Sequence, residues 1–158
     1  MDQQVENLRM PPNSKDAEQS VLGGLMLDNR AFETVSERLQ PEDFFRTQNR
    51  LIYQVICTLS EQEKPFDVLT LSDELNDIEE LDNVGGLAYL SDLVESTPSA
   101  ANISAYADIV KEKSLLRSLA EAATDIADGA YNNMGNDPLD MISDAEKRIA
   151  EVAEGGGK

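Results

Sequence analysis

Apolar residues recur at helical spacing in one segment of the chain after another. Ala17, Val21, Leu22 and Leu25 form the first stripe, behind Ser14 as an N-cap and with Asp16 and Glu18 in the first turn, where the helix dipole favours negative charge. Gly23-Gly24 interrupts this stripe at a cost of about 1 kcal/mol per glycine relative to alanine, so the pair predicts close approach by another backbone rather than a kink. Phe32, Val35 and Leu39 share one side of a second helix, capped by Asp28 or Asn29 and stopped by Pro41. Glu42-Asp43-Phe44-Phe45 is a short connector with two of the four phenylalanines, which predicts that it tucks into the core. Thr47 then caps a third helix. Its Leu51, Ile52, Val55, Ile56 and Leu59 mark it as the central core element, since the run is too long for a strand and its period is not two.

Pro65 marks a turn, and Thr70 with Asp73 opens a short fourth helix bearing Leu71 and Leu75. The turn Asp82-Asn83-Val84-Gly85-Gly86 leads into a fifth, with Leu87, Leu90, Leu93 and Val94 on one face and Tyr89 offset from it. Pro98 closes that region. Ser99 or Asn102 caps a long helix with no glycine or proline before Gly129. Here the pattern changes to heptads: Ile109, Leu116, Ala123 and Ala130 are spaced by seven, and so are Glu112, Leu119 and Ile126. Asn132–Asn136 turns the chain, Asp137-Pro138 starts a last helix, and Ile142, Ala145, Ile149 and Val152 continue the a/d spacing.

The predicted fold is therefore all-α, a compact multi-helix head followed by an antiparallel helical hairpin. Its expected divisions are a flexible N-terminal arm at 1–13, the head at 14–101, the long helix and hairpin at 102–153 and the start of a flexible linker at 154–158. Leu115 and Ala122 flank the seam on one side and Ala127 on the other, a stripe wider than one partner helix needs. That predicts packing against the head or another chain, with Leu116, Leu119, Ala123, Ala130, Ile142 and Ile149 as the hairpin and self-association seam.

Composition narrows the function. The 158 residues hold 31 acids against 13 bases, a formal charge of −18, which argues against a phosphate-gripping surface and for protein partners, basic ones among them. Residues 61–95 alone hold 11 acids and one lysine, Lys64, either a solvated face or a docking patch for a basic partner. There is no histidine and only one cysteine, Cys57, expected as a buried inert thiol, so disulfides, Cys/His metal sites and histidine acid–base chemistry have no residues to work with. No signal peptide or membrane-spanning apolar run is present, and a cytoplasmic location is expected.

No catalytic, cofactor or metal site is expected. Gly157-Lys158 lacks the spacing, the Ser/Thr and the preceding strand of a phosphate-binding loop. Asp77–Asp82 places Leu81 and Asp82 where a calcium loop needs a ligand and a glycine. Glu79/Glu80 is unremarkable in so acidic a surface, and the serines lack a base. Tyr89 is weighed as an anchor of its own helix or a partner contact.

Pro11–Gly23, Pro41-Glu-Asp-Phe-Phe45, Pro65–Thr70, Gly85-Gly-Leu-Ala-Tyr-Leu90 and Thr97–Arg117 together strongly resemble the N-terminal domain of bacterial replicative DNA helicases of the DnaB family, in the same order. Asp16 stands where glutamate is commoner, and Asn49 where a histidine is common. The family's ATPase half, which would use ATP and magnesium, is absent from these residues. The resemblance implies an all-helical collar domain that assembles a hexamer as a trimer of dimers and docks the helicase-binding domain of primase, with other replication proteins as further candidates and no nucleic-acid or membrane contact. Carried onto matching positions, the implied primase-binding residues are Asp16, Tyr89, Ala120 and Ile126. Ile126 also sits in the heptad seam, so either role is open to it. On this reading Tyr89→Ala weakens primase binding while leaving stability nearly unchanged. The alternative is a free-standing acidic helical adaptor or inhibitor that mimics this domain.

Overall fold

The computed structural model describes residues 10–155, and in these it contains seven α-helices and no strand. They are α1 (Lys15–Leu27), α2 (Phe32–Ser36), α3 (Thr47–Glu61), α4 (Val68–Asp77), α5 (Gly86–Glu95), α6 (Ile103–Tyr131) and α7 (Pro138–Ala153), with 3-10 turns at Asn29–Ala31, Pro41–Asp43 and Asp82–Val84. The all-α expectation holds. Residues 14–111 form one compact unit, and residues from Glu112 onward form a second with the N-terminal segment. The division falls at Glu112 rather than at residue 102. Ile103, Ala107 and Val110, in the first turns of α6, are buried in the head's core, so head packing continues well into the long helix.

In the head, α1 packs on α3 and α5, and α4 packs on both of these in turn. Val21, Leu22, Leu25, Phe44, Ile52, Tyr53, Ile56, Leu71, Leu75 and Leu90 are sealed from solvent. The Gly-Gly pair does what its cost implied. A Cβ on Gly23 would lie 2.2 Å from Thr97 Oγ1 and 2.3 Å from the Leu93 carbonyl oxygen, so α1 can cross the end of α5 only without a side chain there. Gly24 gives similar room to Ile103, whose Cδ1 would be 2.9 Å away.

The caps differ in detail from expectation. Ser14 accepts from the Ala17 N–H at 3.2 Å, as anticipated, but Asp28, accepting from the Arg30 N–H at 3.1 Å, caps the 3-10 turn Asn29–Ala31, while α2 has no side-chain cap and ends at Ser36, before Leu39. Thr47, however, is the first residue of α3, and Arg46 before it makes no side-chain cap; the donors there are taken by Glu18 of α1. Helix α4 is capped by Asp67 rather than Thr70: Asp67 Oδ1 accepts from the Thr70 N–H at 2.9 Å, and Thr70 Oγ1 from the Asp67 N–H at 2.8 Å. The reciprocal pair sits one turn earlier than Thr70/Asp73. Leu87, expected on the buried face of α5, is 54% exposed, leaving Leu90 and Leu93 to carry that face.

Asn29 fixes the approach to α4. Its Nδ2 donates to the carbonyls of Leu25 at 2.9 Å and Phe66 at 2.8 Å, and its Oδ1 accepts from the Phe66 N–H at 3.0 Å. One side chain thus holds both backbone groups of Phe66. Phe66 is buried and meets Phe32 edge-on.

The second unit is simpler. α6 and α7 are joined by a turn in which Met134 and Gly135 take left-handed φ values of 55° and 81°, and Asn133 Oδ1 accepts from the Gly135 N–H at 2.9 Å. Asp137 caps α7 through the Asp140 N–H at 3.2 Å, with Pro138 first in the helix. Arg148 bridges from α7 to Asp125 of α6 at 2.6 Å. The predicted arm at 1–13 lies mostly outside the described residues, as does the linker beyond Gly155. Of the described part, the Pro12 carbonyl accepts from Arg117 Nη1 at 2.8 Å.

Candidate protein-docking site

Gly85 and Gly86 position Tyr89. With φ of 106° and 72°, they close the turn Asp82–Val84 and release the chain directly into α5, so Tyr89 comes one turn after its start. A Cβ on Gly85 would lie 2.7 Å from Tyr89 Cβ, so the first glycine also leaves the space the ring's base occupies.

Tyr89 is half-buried, and its hydroxyl belongs to a chain of hydrogen bonds inside the head. It donates to Asn49 Oδ1 and accepts from Gln19 Nε2 at 3.3 Å. Asn49 Nδ2 in turn donates to Glu18 Oε1 at 2.9 Å. Glu18 is 1% exposed, and its carboxylate also accepts the Phe45 N–H at 2.7 Å and the Arg46 N–H at 3.4 Å. A carboxylate at the start of α3 meets donors and the positive end of the helix dipole, which is what allows it to be buried. Burial raises the Tyr89 hydroxyl above its ordinary pKa; the hydrogen bond from Gln19 opposes that rise, and Glu18 adds to it.

Beside the ring is a depression of about 300 Å³ lined by Lys15, Gln19, Tyr89, Asp92, Leu93 and Ser96. Asp16 is exposed on α1, three residues before Gln19 and therefore on a neighbouring position of the same helical face. Two of the four expected partner residues, Asp16 and Tyr89, are thus on the head, with Tyr89 in its own helix-anchoring role as well. Gln19, Asn49 and Glu18 were not expected as site residues. Glu18 read as an ordinary first-turn acid, and its partners lie 27 to 31 residues away. The departure at Asn49 was the only hint of its position in this chain.

Ala120 and Ile126 belong to the hairpin. Ala120 is exposed; Ile126 is partly exposed and helps line a groove of about 530 Å³ between α6 and α7, with Gly129, Ala130, Met141, Ile142 and Ala145. Ala122, which the heptad spacing places at the flank of the seam, is fully buried. An α-helix has 3.6 residues per turn, so positions spaced strictly by seven drift around its surface. Of the seam residues, Ala130 and Ile142 line the groove between the helices. Leu116, Leu119, Ile142 and Ile149 are 42%, 44%, 56% and 40% exposed, and Ala123 and Ala130 are exposed too.

In the acidic stretch 61–95 most carboxylates are exposed. Cys57 is half-buried; burial first, and then the charge of Glu61, push its thiol up to about 11. No described helix is long and apolar enough to cross a membrane.

A family model described as the DnaB-like helicase N-terminal domain matches residues 10–112. The replicative DNA helicase DnaB of Haemophilus influenzae is 40% identical over 153 residues, covering 97% of this chain and 33% of that protein. The replicative DNA helicase DnaC of Bacillus subtilis is 43% identical over 148 residues, covering 94% and 32%. The chain thus spans about a third of the length of the curated relatives it matches. Among solved structures, the N-terminal domain of DnaB helicase from Mycobacterium tuberculosis superposes with a TM-score of 0.85 at 39% identity, covering 90% of this chain and 99% of that one. The corresponding domain from Helicobacter pylori, described with its interactions with primase, gives 0.65 at 25% identity, covering 80% and 97%. By a family match over most of its length and by the fold it shares with these domains, this chain belongs to the DnaB-like helicase N-terminal domain family.

Proposed function

We propose that this chain is the N-terminal interaction domain of a replicative DNA helicase, working by protein contact alone. Its head docks the helicase-binding domain of primase, and its hairpin joins copies of the domain into the collar of a hexamer. ATP and magnesium belong to the motor domain of such helicases, and no catalytic step is assigned to these residues. The observation that carries the assembly role is the row of outward-facing apolar side chains on both hairpin helices, Leu116, Leu119, Ile142 and Ile149, too exposed for the hairpin alone to bury. The primase role is supported by the relatives above, whose solved domains include one described with primase. The helicase-fragment reading is favoured over a free-standing adaptor because the curated relatives matched are replicative helicases.

Sedimentation of the purified chain, alone and with the helicase-binding domain of its cognate primase, tests both roles. Concentration-dependent self-association and a co-sedimenting complex are expected. A strictly monomeric chain at high concentration removes the assembly role, and no complex with primase removes the docking role.

A further inference from the structure

The tyrosine in the head offers its ring, and not its hydroxyl, to whatever docks there. The direction of every hydrogen bond in the buried chain follows from Glu18, whose carboxylate oxygens accept from the Phe45 and Arg46 N–H groups. Facing Glu18 Oε1, the Asn49 amide must present its NH2, which leaves Oδ1 aimed at Tyr89. The Tyr89 hydroxyl must then donate inward, and its lone pairs receive Gln19 Nε2. Both capacities of the phenol are used, while one side of the residue borders the depression with Lys15, Asp92 and Ser96.

We infer that Asn49, oriented by Glu18, is a positioning residue for partner docking: it tethers the Tyr89 hydroxyl so that the ring stands at one fixed angle beside the depression and meets the partner as an apolar surface. This rests on the proposed docking of primase at Tyr89. A tethered aromatic ring loses little freedom when a partner packs on it, and such pre-organisation shows as affinity without any contact between Asn49 and the partner. The same logic explains which residues can stand at position 49. The side chain must donate to a carboxylate on one side and accept from a phenol on the other. Asparagine does this with its amide, and neutral histidine does it with its two ring nitrogens. Leucine fills the volume and does neither.

The test is a double-mutant cycle in affinity for the cognate primase helicase-binding domain, measured by calorimetry on the full chain, with circular dichroism confirming that each variant is folded. Tyr89→Phe and Asn49→Leu are each expected to weaken binding about fivefold, the scale of one hydrogen bond, and the double variant no further. Asn49→His is expected to restore binding at pH 8, where the imidazole is neutral, and to lose it again towards pH 5.5, where the ring holds two protons and cannot accept from the phenol. Losses that add in the double variant would overturn the inference, since the hydroxyl would then touch the partner itself. Wild-type affinity in Tyr89→Phe, which removes a single oxygen and keeps the fold safe, would overturn it as well. Tyr89→Ala separates this from the reading beneath it. If removing the whole ring leaves affinity unchanged, docking at Tyr89 is wrong and the inference falls with it; if it abolishes binding while Tyr89→Phe does nothing, docking stands and the tether alone is wrong.

Discussion

The head and the hairpin solve the problem of burial in opposite ways. The head seals more than twenty apolar side chains and satisfies its one deeply buried carboxylate, Glu18, with three donors. In the hairpin, among the described residues from Glu112 onward, Ala122 is the one apolar side chain fully out of water. Leu116, Leu119, Ile142 and Ile149 stay between 40% and 56% exposed. A helical pair of this length has too little interior to cover a wide apolar stripe by itself. The head buries its apolar residues within itself, whereas the hairpin leaves a stripe of them exposed.

The sharpest way to break that comparison is at the glycines. Gly23→Ala puts a methyl group against the Leu93 carbonyl, where nothing flexible can yield, and should cost about 3 kcal/mol or more. A fall in the urea unfolding midpoint of the head reports it, and an unchanged midpoint would mean that α1 and α5 do not cross so closely. Next comes Tyr89→Ala. The sequence led us to expect a surface change with little effect on stability, but the hydroxyl is the donor to Asn49 and the ring is half-buried. The expected cost is about 2 kcal/mol, read by thermal unfolding alongside the primase measurements.

Leu119→Glu sharpens the hairpin side. At 44% exposure the side chain contributes little within one copy, so unfolding of the dilute chain should shift by less than about 1 kcal/mol. Self-association should weaken at least about tenfold, because a charge would then enter an apolar contact between copies. Sedimentation equilibrium distinguishes the two, and equal association in the variant would take Leu119 out of the interface. The smallest effect has the opposite sign. On Gly129 a Cβ would meet only Met141 Cε at an ordinary 3.8 Å, so Gly129→Ala should stabilise α6 by about 0.5–1 kcal/mol. The same substitution, glycine to alanine inside a helix, is thus expected to harm the head and help the hairpin.

What could be read from the sequence follows the range of the interaction. Ser14 and Asp137 announced their helices because a cap and its donor are three residues apart. The long helix and the turn after it were legible from an uninterrupted run and a cluster of asparagines. Gly23-Gly24 was legible because a costly residue in a helix needs a reason. Glu18 was not, since one carboxylate in a first turn looks like any other until the start of α3, 27 residues on, arrives beside it. Thr47 misled as well: it is the first residue of α3, and Glu18, from α1, takes the N–H groups of Phe45 and Arg46 just before it. In the hairpin the heptad count named an apolar stripe, and its Leu116, Leu119, Ile142 and Ile149 are exposed. Periodicity names a face but not the surface that covers it.

The Asn29 latch has a consequence for how the protein ages. Spontaneous hydrolysis of an asparagine amide leaves aspartate, which keeps the shape and the acceptor but has no hydrogens to give. At position 29 that single chemical event would remove both donations, to Leu25 and to Phe66, and set a negative charge against two carbonyl oxygens. The stretch leading into α4 would come loose with no residue cut and less than one mass unit gained. Old preparations that lose the Phe32–Phe66 ring contact would carry the record of that event at one atom.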